Sequence, residues 1–90
     1  MSPTISMFFG IIVSMYWEKG EPHHAPHIHA MYQDHKAVFS IPEGDLLAGS
    51  LPRKQAKLVG GWIALHEDEL LANWTLAMNN EQLFRIDPLK

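Results

Sequence analysis

The hydrophobic pattern of this chain changes period once, at Pro52. Before it, apolar residues come as short runs or strict alternations; after it they recur at helical spacing. Met7 to Trp17 is an almost unbroken apolar run, rich in β-branched and aromatic residues and closed by Glu18-Lys19-Gly20-Glu21-Pro22. It predicts a strand covered on both faces, with Gly10 marking a bulge or a close backbone approach. His23 to Pro26 reads as loop, because Pro26 disfavours helical geometry at Ala25.

His27 to Tyr32 alternates, placing His27, His29 and Met31 on one face and Ile28, Ala30 and Tyr32 on the other. Gln33-Asp34-His35 predicts a turn, and Lys36 to Ile41 a strand pairing back as a hairpin. Pro42-Glu43-Gly44-Asp45 ends that strand. Leu46 to Gly49 is either a short fourth strand or a connection.

From Pro52 an apolar stripe runs through Leu58, Val59, Trp62, Leu65, His66, Glu69/Leu70, Asn73/Trp74 and Ala77, to Asn79-Asn80. A straight helix of ~27 residues would be about 40 Å long, more than so small a domain needs. The stripe therefore predicts either a bend near Gly60-Gly61 or His66-Glu67-Asp68, or an end that projects into a partner. Leu83 to Ile86 predicts a short closing strand, stopped by Asp87-Pro88. The expectation is one α+β domain spanning residues 1–90. Its three- or four-stranded, mostly antiparallel sheet carries a long or kinked C-terminal helix on one face.

Composition narrows the classes. Ninety residues, 47% of them hydrophobic and three of them tryptophan, suit one packed core. Cysteine is absent, which excludes disulfides and thiolate metal sites and suits a reducing cytoplasm. The formal charge of −3 disfavours binding nucleic acid through phosphate contacts alone. No Lys or Arg precedes the first apolar run, which is too short to cross a bilayer as a helix, so neither a secretory signal nor a membrane span is expected.

Four of the six histidines fall in His23-His24-Ala25-Pro26-His27-Ile28-His29. Imidazole titrates near neutrality, so it serves as acid, base or metal ligand without special tuning. On a strand, His27 and His29 lie on one side roughly 6–7 Å apart, close enough to share a phosphate or a cation. Three readings stay open. His23, His27 and His29, with His24, Asp34 or His35, are candidate ligands for zinc or nickel. The same three histidines are candidate acid/base groups for phosphodiester cleavage, needing no cofactor, with Tyr16, Tyr32, Lys36 and Arg53 candidate substrate-binding groups. Or the imidazoles are structural, bonded to backbone at the sheet. His66, on the helix stripe, reads as a buried neutral histidine. Arg53, Lys54 and Lys57 form a basic cluster facing solvent, a phosphate or an acidic partner.

Several blocks in order are similar to a known family: Ile5-Ser6-x-Phe8-Phe9-Gly10-Ile11-Ile12, His23-x-x-Pro26-His27-Ile28-His29-Ala30-x-Tyr32, Gly49-x-Leu51-Pro52, Trp62-x-x-Leu65-His66-x-x-Glu69-Leu70-x-x-Asn73-Trp74 and Ile86-Asp87-Pro88-Leu89. They resemble the domain-of-unknown-function 4160 family of small bacterial proteins. That family usually has Pro-Pro-His-Phe-His, where this chain has Ala25 and Ile28 in place of the first Pro and the Phe. His23, His27, His29 and His66 match family positions; His24 does not. The resemblance implies a cytoplasmic protein encoded beside a small partner of the domain-of-unknown-function 2442 family, in a toxin–antitoxin-like pair. Within such a pair, the expectations are a histidine-dependent ribonuclease toxin acting on RNA, or a non-catalytic module binding its partner or a second copy.

Overall fold

A computed structural model describes residues 3–18 and 25–90 of the chain. Among these residues, five strands, β1 (Thr4–Phe8), β2 (Ile11–Ser14), β3 (His27–Tyr32), β4 (His35–Ser40) and β5 (Leu46–Gly49), precede two helices, α1 (Arg53–Leu65) and α2 (Glu67–Met78). The strands form one antiparallel sheet in chain order, β1-β2-β3-β4-β5. The α+β class stands; the sheet has five strands, and the one long helix is two.

The first apolar run is a hairpin and not a single strand. Phe9 (φ 50°) and Gly10 (φ 78°) reverse the chain in two residues, and a two-residue turn of this kind needs positive φ. Glycine adopts that conformation freely, and a Cβ at Gly10 would meet the Tyr32 ring at 3.3 Å. Phenylalanine does so rarely, which is why the run looks continuous in sequence. The β3–β4 turn carries Gln33 at φ 53°. Gly49 is more tightly constrained: its φ is 69°, and an added Cβ would stand 2.1 Å from the Lys36 carbonyl oxygen.

Register sorts the side chains. Ile11 and Val13 lie opposite Tyr32 and Ala30, while Ile28 and Ala30 lie opposite Phe39 and Ala37. These residues form one face, and Val59, Trp62 and Ile63 of α1 with Leu70 and Trp74 of α2 pack into the same core. Phe8 and Trp62 meet at 5.3 Å between ring centroids. Fully burying each such side chain stabilises the fold by roughly 1.5–3 kcal/mol.

The helical stripe breaks at His66 (φ −128°, ψ 31°), the second of the two predicted bends. Glu67, Asp68 and Glu69 then occupy the first turn of α2, where carboxylates favour the helix dipole. The His66 Nδ1 lies 2.6 Å from Glu69 Oε1, with the imidazole mostly buried against Trp62. Helix α2 ends in a Schellman turn: Asn80 has φ 59°, Glu81 N–H donates to the Leu76 carbonyl and Asn80 N–H to that of Ala77.

The expected closing strand at Leu83–Ile86 is instead an irregular strap. Its backbone bonds mostly to side chains, so no ladder forms. The buried Asn73 amide donates to the Phe84 carbonyl and accepts from Phe84 N–H, and Trp62 Nε1–H donates to the Asp87 carbonyl. One backbone bond, Ile86 N–H to the Ile5 carbonyl, ties the strap to β1. Among the described residues no helix is long and apolar enough to cross a membrane.

Candidate functional site

Among the described residues, helices cover one face of the sheet and leave most of the other open. On the open face, Ser14, His29, Val38 and Ala48 align across four strands, and Met7, Ile12, Met31 and Lys36 make the next row. An open cleft of about 420 Å³ runs over this face, lined by the side chains of Tyr16, His29, Met31, Lys36 and Val38, with Gly49 closing one wall. The Tyr16 ring stacks on the His29 imidazole at 4.5 Å and 11° between planes.

His27 shares the parity of His29 but not its surroundings. The two rings stand 5.2 Å apart, edge to face. His27 is fully buried, with the Trp74 ring of α2 at 4.9 Å, whereas His29 is half-buried. His27 Nδ1 lies 2.8 Å from the Ala25 carbonyl oxygen. A carbonyl only accepts, so Nδ1 carries the hydrogen, and in the neutral ring Nε2 holds the lone pair. Next to Ala25, the Pro26 carbonyl accepts from Ile41 N–H. The Nε2 atoms of His27 and His29 are both shielded from solvent.

The structure therefore brings His27 and His29 together, as period-two spacing predicts, and joins Tyr16 and Lys36 to His29 in one cleft. It does not bring Tyr32 or Arg53 there. Tyr32 lies opposite Ile11 and packs against the core, and Arg53 is exposed at the start of α1. Asp34 and His35 are exposed at the β3–β4 turn. His23 and His24 lie outside the described residues. Among the described residues no three His, Asp or Glu side chains come close enough to hold a metal ion, so a His23/His27/His29 ligand set hangs on His23.

The sequence reading missed the apolar row. Met7, Ile12 and Met31 are 53%, 37% and 41% exposed, although they belong to segments rich in core residues. The signal was present in β2, where Ile11 and Val13 are buried and Ile12 is not, but a run apolar at every position conceals which half faces solvent.

The sequence profile of the family described as Domain of unknown function (DUF4160) matches residues 10–75. The chain belongs to the DUF4160 family. The matched span opens at the first hairpin turn and runs into α2, so it holds both histidines, the cleft and the Trp74 cover; the strap lies beyond it. No curated protein and no solved structure matches the DUF4160 chain significantly.

Proposed function

We propose that this DUF4160 chain is the binding member of a toxin–antitoxin-like pair in the cytoplasm, meeting a small partner protein through the open face of its sheet. The observation that carries this reading is the cross-strand row Met7-Ile12-Met31, apolar and exposed beside the His29 cleft. A sheet already covered on one side normally presents polar residues on the other, and a contiguous exposed apolar patch marks an interaction surface. Lys36 at the end of the row and His29 next to it supply the polar contacts that set orientation.

A second reading, RNA cleavage, is favoured by the grouping of His29, Tyr16 and Lys36 in one cleft. Its two-imidazole form fits poorly, because an acid and a base must both reach the phosphate and His27 is enclosed. In its remaining form, His29 alone moves the proton, through Nδ1 because its Nε2 is shielded, and Lys36 neutralises developing charge.

Expression with and without the neighbouring gene product separates the two. The binding reading expects stable co-purification that Ile12→Asp and Met31→Asp each abolish while circular dichroism stays unchanged. Retention of the complex by both variants would remove this face from consideration. Growth arrest by the chain alone, relieved by His29→Ala in a folded protein, would favour the nuclease.

A further inference from the structure

The two edges of the sheet are treated differently. The outer edge of β1 is met by the strap, through Ile86 N–H on the Ile5 carbonyl. The outer edge of β5 pairs with no strand among the described residues. Natural edges of this kind are usually guarded by short length, a bulge, a lysine, a proline or a covering segment. Strand β5, Leu46-Leu47-Ala48-Gly49, is short and bulged but has no charge and no proline, and its leucines are 53% and 39% exposed. The register shift against β4 pairs Ala48 with Val38 and Leu46 with Phe39, so Leu47 is the extra residue, with no counterpart on β4.

Charge is laid out unevenly around this strand. Exposed Glu43 and Asp45 precede it, and exposed Arg53 and Lys54 follow it. An antiparallel neighbour of identical sequence would set its basic end beside this acidic end, and its acidic end beside this basic end. A parallel copy would oppose like charges. The pattern is thus self-complementary in one orientation, which is what an isologous two-fold contact requires.

We propose that two copies of the chain associate β5 to β5, antiparallel about a two-fold axis, into one continuous sheet, with Glu43 and Asp45 of each copy beside Arg53 and Lys54 of the other. A two-fold axis normal to the sheet keeps both open faces on one side, so both His29 clefts face the same way. The inference does not use the partner-binding reading; it involves a different surface.

The test is the mass of the untagged full chain in solution, by sedimentation equilibrium over a range of concentrations. Wild type is expected to be dimeric at tens of micromolar and to dissociate more readily at high salt. Leu47→Lys, which places a charge on the edge, is expected to be monomeric. Glu43→Lys with Asp45→Lys makes both ends of β5 basic, and Arg53→Glu with Lys54→Glu makes both acidic. Each double variant alone is expected to dissociate about tenfold more readily than wild type, as the loss of several exposed ion pairs implies. An equimolar mixture of the two is expected to recover a dimer containing one of each. A wild-type chain that stays monomeric at these concentrations overturns the proposal. So does a dimer whose dissociation is unchanged in both double variants, or a mixture that fails to associate when each double variant folds.

Discussion

His27 and His29 are two imidazoles on one strand, two residues apart, with ring centres 5.2 Å from each other. One is sealed under Trp74 with Nδ1 committed to a backbone carbonyl; the other lines a cleft against Tyr16. Strand parity decides which side a residue takes. What closes over the strand end decides whether that side is core or surface. In this chain Trp74 of α2 stands against a fully buried His27, so two candidates that are equivalent in sequence differ in access.

Four substitutions probe that contrast, from the largest effect down. Trp74→Ala removes the cover and is expected to cost about 3–5 kcal/mol, as for other buried tryptophans. In a domain of this size that lowers Tm by roughly 12 °C or more; a drop of only a few degrees would mean that the enclosure carries little of the fold. His27→Ala is expected to cost about 2 kcal/mol in urea unfolding, from the cavity and the Ala25 carbonyl left without its donor. A near-neutral result would place His27 back among the functional groups. His29→Ala loses its stack with Tyr16, worth about 0.5–1.5 kcal/mol, so its denaturation midpoint moves by less than that of His27→Ala while partner binding weakens. The reverse order of midpoints would invert the assignment. Met31→Lys on the open face is expected to stay within about 0.5 kcal/mol of wild type; a larger loss measured on the isolated chain would show that this face is already covered.

Much of the fold was legible wherever one period ruled a segment. The alternation from His27 to Tyr32 located β3 and both its faces, and the stripe from Leu58 to Ala77 located the helices. The place of the break was legible only as one of two bends, Gly60-Gly61 or His66-Glu67-Asp68; the structure puts it at the second, where three carboxylates start α2. The hairpin at Phe9-Gly10 was not legible: its flanks are apolar on both sides and its first turn residue is one that seldom adopts positive φ. The strap was misread as a strand because its apolar residues do suit one, while its hydrogen bonds come from Asn73 and Trp62, distant in sequence. At the site, the shared side of His27 and His29 followed from spacing alone. The enclosure of His27 depends on Trp74, and no local pattern couples the two.

Gly49 limits how the cleft can diverge. With the Lys36 carbonyl oxygen standing where a side chain would begin, position 49 itself can offer the cavity nothing but main chain. A relative that retuned this cavity for another occupant would have to do so elsewhere on its lining, at positions 16, 31, 38 and 48, with the glycine left in place.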